Sequence, residues 1–155
     1  MEVTLKPIGI IHTPFDRKKT CPIQSVFSKD AQGTIEVFIE HAPGLKDIDG
    51  FSHIYLLYYF DRAGEIKYVR STFLDDEPHG IYASRHPCRP NGIGLSIVKL
   101  IKKRKNELEV AGIDVLNGTP LLDIKPYIPR YDVFETATEG WLADKEFGLK
   151  PAGRE

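Results

Sequence analysis

The sequence predicts a mainly β protein with a single domain over residues 1–155, built as a barrel or a sandwich. Short runs of β-branched and aromatic residues recur along the chain, with turn residues between them. Only one segment, residues 138–147 around Trp141, resembles a helix. The length suffices for one hydrophobic core without metal or disulfide cross-links.

The first three predicted strands differ in their expected burial. Residues 3–12 contain Pro7, whose missing N–H donor is tolerated at a sheet edge. Residues 33–40 alternate apolar and polar side chains, which is typical of a half-buried strand. Residues 51–60 are rich in aromatic and branched side chains and are expected to form a central strand covered on both faces.

Turn signals separate the five later strands, predicted at residues 65–70, 81–84, 93–101, 108–115 and 121–124. The polar run KKRKN at 102–106 indicates a β-hairpin with a longer loop. Asn117-Gly118 indicates a further tight turn. A short helix or turn at 138–147 completes the prediction.

Charge and cysteine usage limit the possible functions. The net charge is -1, with 21 basic and 22 acidic residues, so only a local basic patch would favour nucleic acid. Residues 102–105 (KKRK) form either such a patch or a solvated hairpin tip. Two cysteines, no secretion signal and no apolar run of membrane-spanning length predict a reduced, cytoplasmic protein with no membrane contact.

Two stretches carry the candidate chemistry: GIYASRHPCRPNGIGLSIVKL at 80–100 and GIDVLNGTPLLDIKPYIPRY at 112–131. Each breaks from an apolar run into a loop of polar residues, where binding groups commonly lie. Arg85 and Arg89 suit a carboxylate or phosphate, or else form surface salt bridges. Asp123, Lys125 and Tyr127 share one face of an extended segment. They either line a pocket or form an ion pair under a packed tyrosine.

Two other kinds of site are not expected. Gly92, Gly94 and Asp114 imitate a dinucleotide fingerprint, but Ile97 occupies the third glycine position and the segment continues as a strand. A Rossmann site is therefore rejected. His79, His86 and Cys88 lack a second pair with zinc spacing, so no metal is expected.

The two stretches resemble the TsaA-like family, also called the TrmO family, of S-adenosylmethionine-dependent tRNA methyltransferases. That family is marked by Gly-x-Phe-Ala-x-Arg-Ser/Ala-x-x-Arg-Pro-Asn and, later, Asp-x-x-Asp-Gly-Thr-Pro-x-x-Asp-x-Lys-Pro-Tyr. The same order runs here as GIYASRHPCRPN and DVLNGTPLLDIKPY. The chain departs from these motifs at four positions, which are Tyr82, His86, Gly92 and Asn117.

The resemblance implies a compact β-barrel that binds S-adenosyl-L-methionine outside any Rossmann fold, usually as a homodimer with sites near the subunit interface. The implied reaction methylates the exocyclic nitrogen of threonylcarbamoyl-adenosine beside the tRNA anticodon. Because the sequence stops at Glu155, the barrel and its partner subunit are expected to hold the RNA. The positions that match cofactor contacts are Pro22, Ile23, Gln24, Asp61, Arg62, Arg85, Leu95, Asp114, Val115, Leu116, Asn117 and Gly118.

Catalytic roles are expected for Asp123 or Asp114 as a proton acceptor and for Arg89 as an anion-holding group. The expected substrate contacts are Arg89, Asn91, Lys125 and Tyr127. An amide cannot act as a base, so Asn117 receives no proton-transfer role. Alignment of the methyl group with its acceptor is expected to matter more than acid–base chemistry.

Two rival functions remain open. The first is an S-adenosylmethionine-binding sensor without turnover, which the Asn117 departure favours. The second is an RNA-binding barrel with aromatic stacking platforms, formed by Tyr55, Tyr58, Tyr59 and Phe60. Those residues fall on both faces of an apolar strand, which is more typical of a core.

Overall fold

The chain forms a closed antiparallel barrel with strand order β1-β2-β7-β6-β3-β8, and β4 and β5 make a separate two-stranded sheet. The computed structural model describes residues 1–24 and 28–147. This confirms the mainly β prediction and selects the barrel over the sandwich. The strands are β1 Gly9–His12, β2 Gln32–Val37, β3 His53–Tyr59, β4 Val69–Ser71, β5 Pro78–Gly80, β6 Ile93–Arg104, β7 Glu107–Ala111 and β8 Thr119–Pro126.

Alternating side chains build the barrel interior. Along β3, Ile54, Leu56 and Tyr58 point inward and are at most 5% exposed. The outward residues of β3 are partly or largely exposed, and Tyr59 reaches 46%. The expectation that this strand is covered on both faces is therefore wrong, because its outward side chains keep part of their surface exposed.

The first strand is shorter than predicted and does not lie at an edge. It begins at Gly9, after Pro7, and pairs with both β2 and β8. Closure of the barrel gives β1 two neighbours, so a proline inside it would cost a ladder hydrogen bond. The second strand ends at Val37, because a 3₁₀ segment, Ile39–Leu45, follows.

The segment predicted as a strand at 81–84 is instead a 3₁₀ turn, Ile81–Ala83, and β5 precedes it. The Ile81 N–H donates to the carbonyl of Tyr68 at 2.8 Å, and the Ser84 N–H then closes back onto the Ile81 carbonyl at 3.2 Å. The strand predicted at 65–70 is likewise shorter in the structure, where β4 covers only Val69–Ser71 and pairs with the three residues of β5.

The later strands keep their predicted order but change length. The hairpin between β6 and β7 is confirmed, with Lys105 at φ 52° in a tight turn, so the strands extend into the predicted loop. The strand predicted at 108–115 ends at Ala111, because the Gly112 N–H leaves the ladder for the Ala31 carbonyl at 2.8 Å. The last strand is longer than 121–124.

Within 138–147, where a short helix or turn was predicted, the structure forms a 3₁₀ turn, Gly140–Leu142. Side chains hold this segment instead: the Trp141 ring stacks on His79 and its Nε1–H donates to the Ala83 carbonyl. A short helix that was not predicted, α1 at Pro129–Asp132, is capped by an Asp132 carboxylate that accepts the Ile128 N–H at 2.8 Å. Over residues 1–24 and 28–147, no helix is long and apolar enough to cross a membrane.

Candidate functional site

The two stretches that carry the motifs meet at one end of the barrel. Strand β3 runs antiparallel to both β6 and β8, and Tyr59 pairs with Ile93 while Tyr58 pairs with Leu121. The end of β3 therefore lies beside the beginnings of β6 and β8. The loops that follow β3 and precede the other two strands converge at this barrel end, which we call the motif end.

Asp114 lies inside the motif end and is 9% exposed. Its carboxylate accepts a hydrogen bond from the Ser96 hydroxyl. Since Ser96 has only one hydroxyl proton, the Tyr58 hydroxyl donates to Ser96 Oγ, at 3.0 Å. Burial, followed by the Asp114 charge, raises the pKa of Tyr58 and keeps this phenol protonated. The chain thus holds a buried carboxylate in one orientation.

Three side chains fasten the backbone on both sides of Asp114. The hydroxyls of Ser28 and Thr13 donate to the carbonyls of Ile113 and Val115, at 3.0 and 2.7 Å. Between them, the Cys21 thiol donates to the Asp114 carbonyl at 3.1 Å. Three successive carbonyls are therefore satisfied by residues about a hundred positions earlier, which orders a segment without strand pairing.

Asn117 supplies the turn that follows. Its Oδ1 accepts the Thr13 N–H at 3.1 Å, and its Nδ2 donates to an Asp16 carboxylate at 3.2 Å. A carboxylate at this position would accept the first bond and repel Asp16. Gly118 then adopts φ 79°, where glycine is favoured. The amide is therefore suited to a structural role.

Two arginines of the predicted cofactor set are each held by a polar neighbour. Arg85 Nη1 donates to Gln24 Oε1 at 2.9 Å, which brings the 22–24 segment to the motif loop. Arg62 Nη2 donates to Thr119 Oγ1 at 2.9 Å, and its Nε donates to Asp61 at 3.2 Å. Both guanidinium groups keep nitrogen atoms available for a ligand carboxylate.

Arg89 lines a pocket of about 240 Å³ at the motif end, together with Asp61 and Asn91. Its Nη1 donates to the Ser84 carbonyl at 2.8 Å, so the guanidinium is fixed against its own loop. Asn91 has φ 64°, a left-handed conformation that a short polar side chain tolerates. The remaining walls are Tyr59, Phe60, Ala63, Gly64, Ile66, Pro87 and Gly92.

Four other predicted residues lie on the outer face of the barrel, away from Asp114. Leu57 pairs with Leu95 on one side and with Asp123 on the other, so these side chains form one outward row. Asp123 Oδ2 forms an ion pair with Lys125 Nζ at 2.9 Å, and both side chains are exposed. Tyr127 packs against Tyr55, with ring centroids 5.6 Å apart.

Other features attract less functional interest. A cleft of about 500 Å³ involves His12, Gln32, Thr34 and Ile101 but none of the predicted site residues. The residues described contain no group of three His, Cys, Asp or Glu side chains that could hold a metal.

Comparison with known proteins decides the family. Residues 10–133 match the profile described as the tRNA-methyltransferase O N-terminal domain. The chain belongs to this family. Its resemblance through the two loop motifs is thereby confirmed, and the barrel geometry agrees with solved TrmO structures.

Relatives of this TrmO-family chain carry different descriptions. A probable S-adenosyl-L-methionine-binding protein of Pyrococcus abyssi is 47% identical over 97% of this chain and 82% of its own length. The tRNA (adenine(37)-N6)-methyltransferase of Rattus norvegicus is 34% identical over 82% of this chain and 31% of its own length. A TrmO crystal structure matches 90% of this chain with a TM-score of 0.79 and 37% identity. The chain spans 64% of that TrmO structure's length.

The residues that hold the site in place in this TrmO-family barrel lie largely outside the sequence motifs. Ser96 and Tyr58 contact the Asp114 network, and Thr13, Cys21 and Ser28 fasten its backbone. One signal was available for Ser96, which occupies the inward row of β6 between Gly94 and Val98. A polar residue in such a row requires a buried partner.

Proposed function

We propose that this protein transfers a methyl group from S-adenosyl-L-methionine to N6 of threonylcarbamoyl-adenosine at tRNA position 37. One observation carries the proposal: the segments around residues 22–24, 61–62, 85–91 and 114–119 converge at the motif end through side-chain hydrogen bonds. A relative named for methyl transfer to N6 of adenine 37 supports the position and the acceptor atom, and a relative named for S-adenosyl-L-methionine binding supports the cofactor. We place that reaction in the cytoplasm.

The chemistry of the site fits the cofactor. Arg85 and Arg62 offer guanidinium nitrogens for the methionine carboxylate, and Asp61 offers a partly exposed carboxylate for its ammonium or ribose groups. The 114–118 turn presents backbone groups for adenine. The bound cofactor supplies an electrophilic methyl on a sulfonium, so these residues act mainly by orientation.

Arg89 and Asn91 are proposed to hold the acceptor. They line the pocket that adjoins Asp61, and the Arg89 guanidinium is already fixed by the Ser84 carbonyl. A fixed, planar cation suits the threonyl carboxylate or a nearby phosphate. Lys125 and Tyr127, on the outer face, would extend this surface along the RNA.

Asp123 is the better of the two candidate bases. Asp114 is 9% exposed and already accepts the Ser96 hydroxyl, so it is better placed to orient the site electrostatically. Asp123 faces outward, one row from the Tyr59–Ile93 pair that borders the pocket. Two strand residues span about 7 Å, and we propose that the acceptor bound at the pocket extends over this distance to the Asp123 carboxylate.

The site is proposed to be completed by a second copy of the chain. The pocket of about 240 Å³ falls below the range of roughly 300–1,000 Å³ that is usual for small-molecule sites. Beside it, Ile93, Leu95 and Ile97 are 38–42% exposed along one outward row of β6. A row of exposed apolar side chains is suited to contact with another protein surface. A homodimer through this face would add a wall to the pocket.

The test compares methyl transfer with cofactor binding. Purified protein is given radiolabelled S-adenosylmethionine and tRNA with or without the threonylcarbamoyl group, and the nucleosides are identified by mass spectrometry. Transfer to modified tRNA alone is expected. Arg89→Ala and Asp123→Ala should each lower the rate of methyl transfer by about a hundredfold or more. Each substitution removes a charged side chain that is proposed to contact the acceptor nucleoside.

A matched control is Arg104→Ala, which removes an arginine about 35 Å along β6 from the pocket. Its activity should equal that of the wild type. Full activity in both Arg89→Ala and Asp123→Ala would refute the assigned roles. Cofactor binding in calorimetry without any transfer would favour the sensor function instead, whereas RNA binding without cofactor affinity would favour an RNA-binding barrel.

A further inference from the structure

The loop that carries Arg85 and Arg89 is tied to the neighbouring β4–β5 sheet by a histidine. His86 Nδ1 accepts the N–H of Cys88, from its own loop, at 3.1 Å. The same nitrogen accepts Arg70 Nη1, from β4, at 3.1 Å. A ring nitrogen that accepts two N–H donors carries no proton, so the neutral ring keeps its proton on Nε2.

A second bond reinforces this connection. The Cys88 carbonyl accepts the Lys67 N–H at 3.3 Å, so Cys88 is bound through both of its backbone groups. Arg70 is partly buried, and its Nε has no hydrogen-bond partner among the described residues. The hydrogen bond from its Nη1 to His86 ties this guanidinium to the loop.

Arg89 follows directly after this anchored residue. The Arg89 N–H donates to the Pro87 carbonyl at 2.8 Å, and its guanidinium donates to the Ser84 carbonyl at 2.8 Å. Both acceptors belong to the loop that His86 fastens. The position of the Arg89 guanidinium in the pocket therefore depends on where residues 84–88 are held.

We infer that His86 and Arg70 form a latch that positions Arg89 for the acceptor. The Arg70–His86 latch consists of Arg70 Nη1, His86 Nδ1 and the Cys88 N–H. His86 is a positioning residue here, because it acts through its loop and not on the reacting atoms. The inference rests on the proposed function, since it assigns the latch to the same methyl-transfer site.

Two substitutions at one position separate the latch from simple packing. His86→Leu keeps a branched side chain of similar width but removes the acceptor. His86→Asn retains an acceptor oxygen at the position of Nδ1, so it should preserve both bonds. The hydrogen–deuterium exchange rate of the Cys88 amide, measured by NMR, reports on its hydrogen bond to His86 independently of enzyme activity.

The expected exchange rate of the Cys88 amide rises about tenfold or more in His86→Leu and stays near the wild-type rate in His86→Asn. Equal rates in all three proteins would overturn the latch. If His86→Leu does not fold, Arg70→Met removes one of the two bonds from the other side. Where His86→Leu does fold, adding Arg70→Met should raise KM for the tRNA no further, because both substitutions break the same contact.

Kinetics test the positioning role. His86→Leu should raise KM for the tRNA about tenfold while the dissociation constant of S-adenosylmethionine changes less than twofold, and His86→Asn should restore KM. Faster exchange with an unchanged KM would refute positioning. If the wild type transfers no methyl group, the proposed function is wrong. The latch is then tested by the dissociation constant of the tRNA, because KM cannot be measured without turnover. A dissociation constant equal in the wild type and His86→Leu would then overturn the inference.

Discussion

Replacing Gly94 with alanine tests the tight contact between β6 and β3 beneath the Asp114 network. A Cβ at this position would lie 2.6 Å from Tyr58 Cζ, with the ring atom Cε2 closer still. Ordinary carbon contacts require at least about 3.5 Å, so the ring must shift by about 1 Å. Gly94 and Tyr58 are direct partners across the two strands.

The Tyr58 ring has little room to move. Its side chain is 5% exposed, and its hydroxyl is hydrogen-bonded to Ser96. Its ring packs against the Phe60 ring in a T-shaped arrangement, with the ring centroids 5.4 Å apart. Overpacking a core costs about 1–3 kcal/mol. Loss of the Tyr58–Ser96 hydrogen bond adds about 1 kcal/mol. Gly94→Ala should therefore lower the free energy of unfolding by about 2–4 kcal/mol.

Thermal unfolding measures this loss. For 155 residues, an unfolding entropy of roughly 2.1 cal/mol/K per residue converts 1 kcal/mol into about 3 °C. The expected fall in Tm is therefore about 6–12 °C. Gly44→Ala is the matched control, because a Cβ there meets nothing within 4 Å. Its Tm should stay within about 3 °C of the wild type. A fall of under 2 °C in Gly94→Ala, or equal falls in both variants, would refute the reasoning.

Three further predictions concern charged residues. Asp114→Asn loses a charge-assisted hydrogen bond worth about 1.5–3 kcal/mol, so calorimetry should show a lower Tm and weaker binding of S-adenosylmethionine. Arg62→Met should weaken that binding about tenfold in titration calorimetry while Tm changes little, because the side chain is partly exposed. Partial burial raises the pKa of Asp75, but hydrogen bonds from His79 and Lys145 lower it by more, so the pKa of this carboxyl lies below its ordinary value. Asp75→Asn should therefore be less stable than the wild type above the ordinary carboxyl pKa of about 3.9, and the difference in Tm should be lost as the pH falls through the lower pKa of the folded state. A pH-independent difference would contradict that last assignment.

The approximate positions of most strands along the chain, and the hairpin, were predictable because they depend on local patterns. Alternating burial in β6 follows directly from its alternating sequence, and the turn at Lys105 follows from the polar run around it. The extent of pairing was not predictable in the same way. Residues 112–115 were predicted as the end of a strand, yet their backbone groups bond to loops near residues 13–31, which no local pattern reveals.

The candidate site was predictable as a set of loops and less so as an arrangement of side chains. The motifs brought Arg85, Gln24 and Asp114 together correctly at one barrel end, although which face each side chain occupies depends on strand register. A β-bulge between Leu57 and Tyr58 changes the register of β8 and sends Asp123 outward. Sequence spacing alone cannot separate an inward carboxylate from an outward one when a bulge intervenes.

The distribution of exposed cations indicates which part of the barrel meets RNA. At the β6–β7 hairpin, Lys102 lies opposite Glu109 and Arg104 opposite Glu107, and Arg104 forms an ion pair with Glu109 at 3.3 Å, so acidic residues offset part of the basic run. The run at residues 17–19 is exposed, and it follows Asp16, which is bonded to the Asn117 turn of the site.

We therefore expect the 17–19 run, and not the hairpin tip, to contact tRNA phosphates. Each phosphate contact contributes about 0.7–0.9 to the slope of log binding constant against log salt. A double alanine variant at residues 18 and 19 should reduce that slope by about 1–2, measured by filter binding at several salt concentrations. The matched variant at Lys102 and Lys105 should leave the slope unchanged. The opposite result would place the RNA at the far end of the barrel, about 35 Å along β6 from the pocket, and would separate RNA binding from the methyl-transfer site.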